Sequence, residues 1–229
     1  MGQNLRAVLF DFGGVILSSP FEAFAHYEQA NGLPNGAIRT INATDPDTNA
    51  WAHLERSDVS IDEFCDRFES EGAALGFSVD ARAVLGLLAG ELRPAMVEAL
   101  RRIHADDRFL TALLTNNIVS MSATSPVDGP TGSTAMVADD RADAFAEVFA
   151  LFDVIVESSK VGVRKPEARF YEVACALLDI EPHEAVFLDD LGVNLKPAHA
   201  MGMITIKVVD PDDALAQLEA LIDLDLRTA

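Results

Sequence analysis

Asp11 stands directly behind the apolar run Ala7 to Phe10 and directly ahead of Phe12-Gly13-Gly14. A lone ion taken out of water is costly, so a carboxylate in this place needs a use: capping a turn, or holding a ligand. The two glycines let the chain turn sharply without a Cβ and let a ligand come close. Asp189 and Asp190 end a second apolar run, Ala185 to Leu188. Adjacent carboxylates repel unless a cation compensates them, and their hard oxygens suit Mg²⁺; one Asp would suffice for a helix cap. A third run ends in Thr115-Asn116-Asn117, whose hydroxyl and amide donors can hold phosphate oxygens, although Thr-Asn also serves ordinary turns. Lys165 precedes Pro166 and Glu167 where a helical pattern begins, which predicts an ammonium group at a helix N-terminus, an anion-binding arrangement. An exposed Lys needs no function, and nearby Lys160 competes for the same role without an adjoining Pro.

These groups gain meaning from the elements that must carry them. Five β-rich apolar runs, Ala7 to Phe10, Phe109 to Leu114, Asp153 to Val156, Ala185 to Leu188 and Met203 to Val209, alternate with helical patterns. That alternation predicts an α/β fold with a parallel sheet, and the unbroken apolar character predicts strands covered on both faces. In such sheets ligands bind at the carboxyl ends of the strands, where all four stretches fall. Residues Phe21 to Arg93 carry helical signals only, with a capping box at Ser60-Ile61-Asp62-Glu63 followed by Phe64, Cys65 and Phe68 on one face. Too long for a crossover, this segment predicts an inserted helical subdomain over residues 19–93, with 1–18 and 94–229 forming the core and Pro94 opening the returning helix. The aromatic residues of the segment, Phe21, Phe24, Tyr27, Trp51, Phe64 and Phe68, fall at helical spacing and read as its core. Ser120 to Asp140, rich in Ser, Thr, Gly and Pro, reads as a surface loop.

Of 229 residues, 37 are Asp or Glu and 17 Lys or Arg, a net charge of −20 that repels nucleic acid and anionic lipid. A site for a small anion must therefore bring its own local positive charge from a metal, a Lys or a helix N-terminus. The two cysteines, Cys65 and Cys175, lie in apolar helical patterns, which predicts buried thiols in a reducing compartment. With no run approaching the length of a membrane span, a cytoplasmic protein is expected. No motif specifies an oligomeric state.

Asp11, Thr115, Lys165-Pro166 and Asp189-Asp190, in this order and each following an apolar run, resemble the four motifs of the haloacid dehalogenase superfamily of hydrolases. The segments VGVRKPEARFYE and VFLDDLGVNLKPAHAMGMITI look most like the phosphatase-like N-terminal domain of soluble epoxide hydrolase and its bacterial single-domain relatives. The resemblance implies a Rossmann-like sheet in the order five, four, one, two, three, with the helical insertion as a cap. It implies Asp11 as a nucleophile forming an aspartyl-phosphate, and Mg²⁺ held by Asp11, the Gly13 carbonyl and Asp190 with Asp189 as a supporting neighbour. Thr115 and Lys165 would bind the phosphoryl oxygens of a small phosphorylated metabolite, with Asn116 supporting them.

The chain departs from that pattern at Gly13, where phosphatases of the family usually carry a second Asp that moves protons for the leaving group and the water. A positioned acid or base contributes about 10²–10⁴-fold, so turnover is put in doubt more than binding. His26, His53 and Glu55 are the candidates for a substitute. Three readings follow: a Mg²⁺-dependent phosphatase, which the tandem Asp favours; another chemistry of the superfamily, such as C–halogen cleavage; or a catalytically weak binding module.

Overall fold

The structure, a computed structural model, describes residues 4–116 and 143–227. Asn117 and the expected loop at Ser120 to Asp140 lie outside the described residues. In chain order the elements are β1 (Ala7–Phe10), α1 (Phe21–Ala30), α2 (Ala37–Ala43), α3 (Ala50–Glu55), α4 (Ile61–Ala74), α5 (Ala81–Gly86), α6 (Pro94–His104) and β2 (Leu110–Thr115). There follow α7 (143–149), β3 (Val154–Glu157), α8 (Ser158–Val161), α9 (Ala168–Leu178), β4 (Ala185–Asp189), α10 (Gly192–Ala200), β5 (Ile204–Lys207) and α11 (Pro211–Ile222).

The five strands form one parallel sheet in the order β3-β2-β1-β4-β5, as the resemblance implied. Phe10 pairs with Leu113 on one side and Leu188 on the other, so β1, β2 and β4 end together. Asp11, Thr115 and Asp189 are thereby brought to one edge.

Alternate residues of the three central strands, β1, β2 and β4, enter different cores. Val8, Phe10, Leu113 and Leu188 pack with α6 and α11, while Leu9, Ala112, Leu114 and Phe187 pack with α9 and α10. Both faces are covered, which is why the runs are continuously apolar. β4 extends one residue further than its apolar run, so Asp189 itself belongs to the strand.

The helices α1 to α5 hold a third apolar cluster of their own, with Phe24, Ile38, Ile41, Leu54, Phe64, Phe68 and Val84 buried in it. The predicted capping box is formed: Glu63 N–H donates to Ser60 Oγ at 3.2 Å and Ser60 N–H to Glu63 Oε2 at 2.8 Å. Trp51 packs edge-on against Phe64. The segments entering and leaving this unit run side by side, with an antiparallel bridge between Leu17 and Leu92 and a hydrogen bond from Arg93 N–H to Ile16 O at 2.9 Å. Both cysteines are free and buried. Among the described residues, no helix is long and apolar enough to cross a membrane.

Candidate active site

The nucleophile candidate is fixed before it is exposed. Asp11 N–H donates to Leu188 O at 2.9 Å, continuing the β1–β4 ladder, and its Oδ1 accepts from Phe12 N–H at 2.6 Å and lies 2.7 Å from Lys165 Nζ. The chain then turns through Phe12–Ile16. Gly14 has φ of +79°, and a Cβ there would overlap the Asp190 carboxylate, so only glycine fits. Gly13 differs from the expectation that both glycines serve the turn. Its φ of −69° and ψ of 128° suit any residue, and no atom lies within 4 Å of where its Cβ would stand.

Lys165 also departs from the sequence reading. Helix α9 begins only at Ala168, with Glu167 as its cap, so Pro166 lies ahead of the helix and does not open it; the Lys165–Pro166 bond is cis. Rather than standing exposed at a helix end, Lys165 is 1% exposed and buries its ammonium between Asp11, at 2.7 Å, and Asp189, at 2.8 Å. Burial pulls its pKa down, but the two carboxylates outweigh this and hold it above its ordinary value. Lys160 is exposed and pairs with the buried Glu157 instead.

The two adjacent aspartates have separate tasks. Asp189 is fully buried; its Oδ2 accepts from Lys165 Nζ at 2.8 Å and Asn194 Nδ2 at 3.0 Å, and its Oδ1 accepts from Leu191 N–H at 2.8 Å and Asn194 Nδ2 at 3.1 Å. Such a saturated carboxylate orients the lysine. Asp190 is partly exposed and receives no side-chain donor among the described residues. Burial, then the charge of Asp189, pushes its carboxyl up to about 6. Asp11 is likewise raised, by burial first, against the pull of Lys165 and with the push of Asp189 and Asp190.

Oxygens from Asp11, Asp189 and Asp190 lie within 4.8 Å of one another. Three carboxylates face one ammonium, an excess of two negative charges. The donor set consists of hard oxygens, and Lys165 is the one cation in contact with it among the described residues, so the residues fit a small divalent ion such as Mg²⁺.

Thr115 ends β2 in a buried position at the same strand edge. Asn116 turns its amide onto the lysine segment: Nδ2 donates to Lys165 O at 2.9 Å and Oδ1 accepts from Lys165 N–H at 2.8 Å. Its amide is thus engaged in positioning Lys165. Of the candidate substitutes for the missing Asp, His26 is exposed and His53 pairs with Asp58, whereas Glu55 reaches the core. There it meets Arg164 at 2.5 Å, and its neighbour Arg56 meets Glu167 at 2.7 Å.

Three participants escaped the sequence reading. Asn194 sits in the first turn of α10, where its spacing from Asp190 is the only available signal, and Tyr171 O–H donates to Asn194 O at 2.7 Å. Arg164 adjoins Lys165 but is recognisable only through its distant partner, Glu55.

A model of haloacid dehalogenase-like hydrolases matches residues 5–202. The mouse protein named acyl-CoA dehydrogenase family member 10 is 33% identical over 98% of this chain, which corresponds to 20% of the mouse protein. Pig bifunctional epoxide hydrolase 2 is 31% identical over 97% of this chain and 40% of its own length. The chain therefore spans two fifths or less of these relatives. The Aspergillus oryzae protein named sesquiterpene phosphatase astK is 35% identical over 97% of this chain and 99% of its own. Among solved structures, a dehalogenase covers 97% of this chain and 99% of its own at a TM-score of 0.63 and 16% identity. A variant HAD family enzyme from Bacteroides thetaiotaomicron, in complex with magnesium and inorganic phosphate, covers 89% and 93% at 0.56 and 16% identity. At these identities the two solved structures speak for the fold alone. The family match and the long alignments to its relatives together place this chain among the haloacid dehalogenase-like hydrolases.

Proposed function

We propose that this chain is a Mg²⁺-dependent phosphomonoesterase that cleaves a small organic phosphate through phosphorylated Asp11. The single observation that carries the reading is the charge excess at the strand edge: three carboxylates, Asp11, Asp189 and Asp190, with Lys165 the one cation in contact with them among the described residues. A halide-releasing site has no need of that excess, whereas a phosphoryl site with a divalent cation does. The full-length similarity to a protein named as a phosphatase supports the same class.

In this reading residues 19–93 are a cap over the strand edge, resting on their own apolar cluster. Asp11, the Gly13 carbonyl and Asp190 hold the ion, which when bound offsets repulsion between the carboxylates and the phosphoryl oxygens. Lys165 directs its ammonium to the same oxygens, held in place by Asp189 and, through its backbone, by Asn116. Thr115 donates its hydroxyl to them. Asp11 attacks phosphorus in line, the alcohol departs, and water then releases phosphate.

Phosphate release from an aryl phosphate, followed with and without Mg²⁺, tests the proposal. Release is expected only with Mg²⁺, and Asp11→Asn is expected to bring it to background. Equal rates for Asp11→Asn and the parent would overturn the assignment.

A further inference from the structure

Lys165 is delivered to the strand edge by a short segment that is tied on both sides to the helical unit. Before it, Arg164 sets Nε 2.5 Å from Oε2 of Glu55, the last residue of α3, and donates from Nη1 to Pro46 O at 2.8 Å. Beyond it, Glu167 Oε1 accepts from Arg56 Nη2 at 2.7 Å and from Nε at 3.1 Å. Between these ties Asn116 pairs with the N–H and C=O of Lys165, and the same Nδ2 that donates to Lys165 O lies 3.3 Å from Glu55 Oε2. One oxygen of Glu55 thus meets both the arginine beside the lysine and the amide that grips it.

The surface that receives these ties has a fixed shape. Asn49 is buried; its Nδ2 donates to Asn42 O and Thr44 O, both at 3.0 Å, and its Oδ1 caps α3 by accepting from Ala52 N–H at 2.9 Å. The loop so held presents Pro46 O to Arg164 and Asp47 O to Arg56, the latter at 3.1 Å. A planar guanidinium offers donors in fixed directions, so Arg164 can engage a carboxylate and a carbonyl at once. The side chains of Arg164 and Glu55 are 14% and 16% exposed, which leaves water little room to compete for the pair.

Joining two parts of the chain does not by itself require this placement. The ties fall on the residue before Lys165, on the second residue after it and on its own backbone partner. A reacting group displaced by about 1 Å can lose about 10²-fold in rate, so the backbone of a lysine that must meet phosphoryl oxygens is where precision counts.

We propose that Arg164 and Glu55 are positioning residues: docking of the helical unit through this pair sets the backbone of Lys165, so that its ammonium meets the phosphoryl oxygens at Asp11. This rests on the phosphatase reading above. The test combines steady-state kinetics on an aryl phosphate with calorimetric titration of the same proteins, first with Mg²⁺ and then with inorganic phosphate. Arg164→Met, which removes the charge and the donors, is expected to lower kcat/KM by about 10²-fold and to weaken phosphate binding. Mg²⁺ binding is expected not to weaken, because Asp11, Gly13 and Asp190 lie on other segments. Glu55→Gln is expected to give a smaller loss of the same kind, and the double variant no more than Arg164→Met alone, since both break one tie. Arg56→Ala, at the more exposed pair, covers the case in which Arg164→Met does not fold; it is expected to weaken phosphate binding and leave Mg²⁺ binding at the parent value. Phosphate binding and kcat/KM at parent values in the folded variants would overturn the proposal. So would a parallel loss of Mg²⁺ and phosphate binding, the mark of general loosening, or losses that add in the double variant. Absence of Mg²⁺-dependent release from the parent protein would instead remove the phosphatase reading, and this inference with it.

Discussion

Two charged clusters lie close together in this molecule, and they are balanced in opposite ways. At the seam between the helical unit and the core, Glu55 and Glu167 meet Arg164 and Arg56, two acids against two bases. At the strand edge, three aspartates meet one lysine. The seam is complete as it stands and can hold two parts of the chain together. The edge has charge left for a divalent cation or for protons, with three carboxylates and one contacting ammonium among the described residues. A balanced cluster reads as architecture, an unbalanced one as a binding site.

Removing one charge from each cluster separates them further. Lys165→Met is expected to have the largest effect. Asp189 is fully buried, so stripping its ammonium leaves an uncompensated charge that costs about 3–5 kcal/mol, read from urea unfolding in the presence of a chelator. A loss below about 1 kcal/mol, the range of an exposed pair, would show that the edge is less dependent on its lysine than the geometry indicates. Arg56→Ala is expected to be the smallest. Its side chain is 19% exposed and that of Glu167 35%, so the pair contributes about 0–1 kcal/mol by the same assay. A loss as large as that of Lys165→Met would erase the distinction between seam and edge.

The two clusters also differ in how far the sequence discloses them. The acidic side of the edge was legible because each of its aspartates follows an apolar run, and the sheet order implied by the family resemblance brings those ends together. Asp11, Thr115 and Asp189-Asp190 needed only that step. The division of labour between Asp189 and Asp190 was not legible, because it depends on which carboxylate turns toward Lys165 and Asn194. Lys165 was found, but its surroundings were misjudged: an X-Pro pair before a helical pattern looks like a helix start, and only tertiary packing buries the ammonium. The seam was almost invisible. Arg56 and Glu167 are 111 residues apart, and each in its local sequence is an ordinary solvent-facing charge. The helices α1 to α5 announce their apolar stripes, not the partners of their polar faces.

The most direct measurement of the central claim is a crystal structure grown with Mg²⁺ and fluoroberyllate, which mimics a phosphoryl group on a carboxylate. The account predicts the fluoroberyllate on Asp11, with its fluorines toward Lys165 and Thr115, and one ion shared by Asp11, Asp190 and the Gly13 carbonyl. An ion coordinated away from Asp190, or fluoroberyllate absent from Asp11 while Lys165 stays in place, would contradict it.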